Sequence, residues 1–255
     1  GGISYTWNKP SGCRFVRVIC QGGGGAGLGA WSSGASTNYQ RGGGGGGYSD
    51  VTFPASGIPN TVNIIAGNGG RGFPTVTGMA YAISGNSSSF GSFVYAGGGE
   101  ASMFVNPGAS AVVPGGDGYT EKGGSSSNSI TFKKTGCSAP GGGIGNDTGN
   151  GGPGGNLTGL ISGGVGGTST SPSGESKFGE YSYFKFSSFF LGSESGLVLS
   201  NNFPNLLCAG GGGSVALNAS ANGGSAEWGA GGGGAGRRSG SGGSGGKGYV
   251  LIICT

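Results

Sequence analysis

Hydrophobic and polar positions alternate over short runs of this chain, at a spacing that predicts β-strands. Tyr5 and Trp7 share one face of Ser4–Trp7, and Asn8 to Gly12 then carry turn residues. Cys13–Cys20 places Val16, Val18 and Cys20 on one side, with Phe15 and Ile19 on the other. Tyr48–Phe53 and Thr61–Ile65 predict two more strands, joined by a turn over Pro54–Asn60. The last run, Gly248–Thr255, is apolar on both faces, as a central strand covered on both sides would be. It is expected to pair with Cys13–Cys20, bringing the two ends together as a β-sandwich base. The predicted fold class is all-β.

Between the strands the pattern gives way to glycine. Bursts fall at Gly22–Gly25, Gly42–Gly47, Gly97–Gly99, Gly141–Gly143, Gly210–Gly213 and Gly231–Gly234, with no constant period. The expected division is a base of residues 1–65 with 247–255 and a glycine-rich insertion over 66–246. Two stretches inside it are glycine-poor, Ser125–Ala139 and Glu175–Cys208. The second holds Tyr181, Tyr183, Phe184, Phe186, Phe189 and Phe190, read either as a hairpin covering the glycine segments or as an exposed loop.

Glycine makes up 70 of 255 residues, and ordering each costs roughly 0.5–1 kcal/mol more than ordering alanine. Disorder would avoid that cost, but disordered chains are charged and poor in aromatics. This one is 10% aromatic and 9% charged, with a net charge of +4. Order is therefore expected. Glycine can form extended threefold helices of the polyproline II type, which make no internal hydrogen bonds. Their N–H and C=O groups must bond to neighbouring helices instead. The expected insertion is a sheaf of such polyglycine II helices.

Several function classes lose support on residue types alone. The chain has no histidine, which removes the commonest general base and the usual zinc ligands. Its carboxylates are scattered singly, and no glycine string ends in the Gly-Lys-Ser/Thr of a phosphate loop. No enzyme activity, cofactor or metal is expected. The basic excess is too diffuse for nucleic acid, and no apolar run reaches membrane-spanning length. The five cysteines form no C-x-x-C; four sit in or beside apolar runs, which predicts buried free thiols rather than a disulfide framework.

What remains is binding. Against a glycine frame, side chains at the turns stand out: Trp31, Tyr39 and Arg41, then Phe73, Tyr81 and Phe104, then Trp228, Arg237 and Arg238. Aromatic faces suit sugar rings or protein loops, and arginine suits carboxylates and phosphates. The plainer alternative is that Trp31 and Trp228 cap the ends of the sheaf.

The run Thr6-Trp7-Asn8-Lys9-Pro10-Ser11-Gly12, continuing through Val16 and Val18 to Gly22–Gly25, resembles the start of the glycine-rich domain at the C-terminus of many bacteriophage tail fibres. Gly246–Ile252 is similar to that family's closing strand, and Gly42–Tyr48 and Ala209–Gly213 fit its style. The resemblance implies a distal, extracellular virion domain that contacts a bacterial surface glycan or outer-membrane protein. It also implies other fibre subunits as partners, and a homo-oligomer, commonly a trimer. The 175–208 insertion departs from the family pattern, so no receptor residue is carried over. Rival readings are a virion decoration domain without receptor contact, an ice-binding sheaf and a cell-wall structural protein.

Overall fold

A computed structural model describes residues 1–29, 42–72, 82–101, 110–112, 117–121, 178–179, 188–191, 206–207, 222, 226 and 240–255. These residues are all-β. The strands are β1 (Ile3–Asn8), β2 (Phe15–Gln21), β3 (Tyr48–Pro54), β4 (Thr61–Ala66), β5 (Ser88–Phe90), β6 (Val94–Ala96), β7 (Ser110–Val112), β8 (Asp117–Glu121), β9 (Phe178–Gly179), β10 (Ser188–Leu191), β11 (Leu206–Leu207) and β12 (Tyr249–Cys254). The helical piece among the described residues is a 3-10 turn, Ala55–Gly57. One antiparallel sheet runs β1-β4-β5-β6-β7, a second β10-β12-β2-β3-β8, and β9 pairs with β11.

The terminal strands meet as the alternation predicts. Val250 lies opposite Cys20 and Ile252 opposite Val18. Val250, Leu251 and Ile252 are buried in succession, so β12 is covered on both faces. In β2, Val16, Val18 and Cys20 point into the core while Phe15 is exposed. Side chains from both five-stranded sheets form one cluster, Trp7, Ile64, Phe90 and Val94 meeting Val18, Val51, Phe53 and Ile252. The Trp7 and Phe90 rings meet edge to face at 5.4 Å. Each such large side chain contributes about 1.5–3 kcal/mol on burial.

Two elements exceed what periodicity predicts. Ser88–Ala96 lies inside the stretch expected to be a glycine-rich insertion, yet it forms the β5–β6 hairpin, with Phe90 and Val94 in the core. Each strand is three residues long, too short to show alternation. Gly91 permits the turn, at φ 52°. Within the 175–208 stretch, β10 adds a strand beside β12, with Phe189 in register with Leu251. Tyr181, Tyr183, Phe184 and Phe186 lie outside the described residues, as does Ser125–Ala139.

Past the sheets, the glycine segments bond to one another in a period of three. Gly22 N–H donates to Gly47 O, Gly23 N–H to Asn86 O and Gly24 N–H to Gly246 O, at 2.9, 2.9 and 2.8 Å. The same three neighbours recur with Gly25 to Gly44, Ala26 to Ile83 and Gly27 to Gly243, at 2.8, 3.1 and 2.9 Å. Partner numbers fall as donor numbers rise, so these neighbours run antiparallel to 22–27. Two more neighbours donate back, Gly70 N–H to Gly24 O and Gly99 N–H to Gly23 O, both at 2.8 Å.

Candidate functional site

The glycine segments pack with no room for side chains at their contacts. A Cβ on Gly22 would overlap Gly97 O, and one on Gly25 would overlap Glu100 O. These two overlaps advance together, so 97–100 runs parallel to 22–25. Gly245 would strike Gly24 O in the same way. Any larger residue at such a point must push two backbones apart.

Polar side chains join the bundle to the sheets. Gln21 is 1% exposed and its Nε2 donates to Gly47 O at 2.9 Å and Gly46 O at 3.1 Å. Ser88 Oγ donates to Gln21 O at 2.6 Å and accepts from Gly67 N–H at 2.9 Å. Ser49 Oγ donates to Tyr95 O at 2.8 Å, linking the two sheets. None of these has a periodic signature, and sequence reasoning passed over all of them. The only local signal is that each borders a glycine burst or a strand end.

The direction of the segments decides at which end the intervening stretches are attached. Those leaving the sheets, 22–29, 67–72 and 97–101, run parallel to one another; those returning, 42–47, 82–87 and 240–248, run antiparallel to them. Gly29, Gly42, Gly72, Ala82, Ala101 and Gly240 therefore lie toward the end away from the sheets. Bonds between them hold that end: Gly72 bridges Ala82, Ala101 N–H donates to Ser84 Oγ at 2.9 Å, and Ala226 N–H donates to Ser244 O at 2.8 Å. Arg71 and Ile83 are exposed there.

All nine residues picked from the sequence lie outside the described residues. Trp31, Tyr39 and Arg41 fall between Gly29 and Gly42, and Phe73 and Tyr81 between Gly72 and Ala82. Phe104 follows Ala101, and Trp228, Arg237 and Arg238 precede Gly240. The described anchor points of these stretches thus share one end of the bundle.

Other chemistry among the described residues is sparse. Arg17 holds Asp50 through two bonds, Nε to Oδ1 at 2.9 Å and Nη2 to Oδ2 at 2.6 Å. One Glu100 carboxylate oxygen and the Asn68 Oδ1 are buried without a partner. Cys13, Cys20 and Cys254 form no disulfide; Cys20 is buried as the sequence predicts, whereas Cys13 and Cys254 are only partly buried because they stand at or just beyond the ends of their strands. Burial pushes the Cys20 thiol far above its ordinary pKa. No group of three His, Cys, Asp or Glu among the described residues is placed to hold a metal ion. No described helix is long and apolar enough to cross a membrane.

A family model described as a glycine-rich domain matches residues 2–255. No curated protein matches the chain.

Proposed function

The chain belongs to the glycine-rich domain family, and from that premise we propose that it is a non-enzymatic tip domain of a viral fibre, an adhesin for a host cell surface. In this reading the two sheets form a β-sandwich base and the glycine segments pack as polyglycine II helices above it. The observation that carries the reading is directional. Every described glycine segment leaves or re-enters the sheets along one axis, so the stretches bearing Trp31, Tyr39, Phe73, Tyr81, Phe104 and Trp228 attach at one end.

The period of three along Gly22–Gly27 supports the helical part, because a threefold helix aims successive N–H groups at three neighbours. Rigidity follows from the packing, since backbones in contact at glycine leave no side chain free to repack. The turns then meet their ligand with little ordering cost. Aromatic and arginine side chains at that end suit a surface glycan or an outer-membrane protein. Weak single-site binding is multiplied by many copies on one particle. The protein acts outside the cell, on the virion, beside other fibre subunits.

The test is staining of a panel of bacteria with the fluorescently labelled, folded chain. Saturable staining of a few strains supports the adhesin. Absence of staining on every strain removes it and favours a structural decoration domain of the virion.

A further inference from the structure

Two of the three described cysteines stand together at one end of the β2–β12 pair, where a bulge interrupts the ladder. Arg14 N–H and Phe15 N–H both donate to Thr255 O, at 2.7 and 2.9 Å, and Thr255 N–H donates back to Phe15 O at 3.0 Å. Two residues on one side thus oppose one on the other. The extra residue resets the alternation, so Cys13 returns to the core face that Val16 occupies, although Phe15 between them is exposed. Cys254 lies opposite Val16. Both cysteines pack against the same core cluster.

The Cys13 thiol leans toward its counterpart. Its Sγ donates to Phe15 O at 3.2 Å, the same oxygen that accepts from Thr255 N–H. Thr255 N is bonded to the carbonyl carbon of Cys254, so this shared acceptor brings the Cys13 sulfur beside the Cys254 backbone. Residues one diagonal step apart across an antiparallel pair stand about 7–8 Å from each other. A disulfide joins Cα atoms up to about 6.8 Å apart, so closure asks for about 1 Å of movement. The movement falls at a ladder end, where Thr255 is exposed. Cys20, in contrast, sits mid-strand between Val250 and Ser49.

We infer that Cys13 and Cys254 are a disulfide site, closed by exchange with an oxidised small-molecule disulfide such as glutathione disulfide. One cysteine loses its proton and attacks a sulfur of the small disulfide, forming a mixed disulfide and releasing one small thiolate. The other cysteine, deprotonated in turn, attacks the protein sulfur of that mixed disulfide and releases the second small thiolate. The protein gives up two electrons and two protons, and the small disulfide leaves as two thiols. The new bond ties residue 13 to the last residue of β12, the strand buried on both faces. β12 can then no longer peel from β2 at this end. Thiols stay reduced inside a cell, and bridges persist outside it. On the extracellular reading above, the pair is open during synthesis and closes on the released particle; the pairing itself does not rest on that reading.

The experiment treats the full, reduced chain with glutathione disulfide, blocks the remaining thiols with iodoacetamide and maps tryptic peptides by mass spectrometry. Trypsin cuts after Arg14, Arg17 and Lys247, so Cys13, Cys20 and Cys254 leave on separate peptides. The folded chain is expected to yield the Cys13 and Cys254 peptides linked to each other, and oxidation in urea is expected to lose that link. The unfolding midpoint of the oxidised chain should rise above that of the reduced chain. Cys13→Ser and Cys254→Ser, shown to be folded by circular dichroism, should each abolish the rise. Separate glutathione adducts in place of the link, linkage of either cysteine to another, a link that forms equally in urea, or a midpoint that oxidation does not move each overturns the proposal. Cell staining plays no part in these readouts, so their failure leaves the adhesin reading to its own test.

Discussion

Ser88 Oγ donates to the backbone oxygen of Gln21 at 2.6 Å, and this bond ties the first sheet to the point where β2 becomes a glycine segment. Ser88 also accepts from Gly67 N–H, where β4 passes into the bundle. One hydroxyl thus serves two exits from the sheets. Ser88→Ala leaves a buried N–H and a buried C=O without that partner, at about 1–3 kcal/mol for each unsatisfied group. Urea unfolding should show a lower midpoint with an unchanged slope.

Glycines at contacts within the bundle should behave differently from a glycine in an open turn. Gly25→Ala and Gly245→Ala each drive a methyl into a backbone oxygen, Glu100 O and Gly24 O respectively. Overpacking of this kind costs about 1–3 kcal/mol, more where only backbone can move. Gly57→Ala, with nothing within 4 Å of the added carbon, should be close to neutral. Thermal unfolding of the three variants side by side checks the ranking.

The strands were legible and the bundle partners were not, for a physical reason. Val16, Val18 and Cys20 alternate with larger, less buried residues, and a period of two survives in the letters. Gly22, Gly23 and Gly24 are the same letter but bond to 47, 86 and 246, and nothing in the sequence separates them. Phe90 and Val94 sat in strands too short for a period. The nine residues picked as candidate ligand contacts lie outside the described residues.

The thiol of Cys20 is fully buried in the core, and its pKa is raised. In the unfolded chain it returns to about 8.5. A raised folded value means the contribution to stability is complete below the unfolded pKa and is lost progressively as pH rises above it. Stability should therefore be level at neutral pH and decline above about pH 8.5. Cys20→Val should flatten that decline. In the native state, iodoacetamide should modify the partly buried Cys13 and Cys254 well before the buried Cys20, read by mass spectrometry.

The ion pair on the second sheet is asymmetric, with the Asp50 side chain 8% exposed and that of Arg17 44% exposed. Arg17→Met strands a buried carboxylate, whereas Asp50→Asn leaves a cation that water can still reach. Arg17→Met is expected to cost more. Exposure of the arginine keeps the pair itself to about 1 kcal/mol or less. Chemical unfolding of both single variants and the double variant, at low and high salt, measures the difference.

The most direct test compares the two ends of the molecule on one strain that the labelled chain stains. Trp31, Tyr39 and Trp228 are changed together to alanine in one variant, and Ser4, Asn63 and Tyr95, on the outer face of the first sheet, in another. The account predicts that the first variant, still folded, loses staining and the second keeps it. Staining that survives the first set of changes, or disappears with the second, would contradict display from the far end of the glycine bundle.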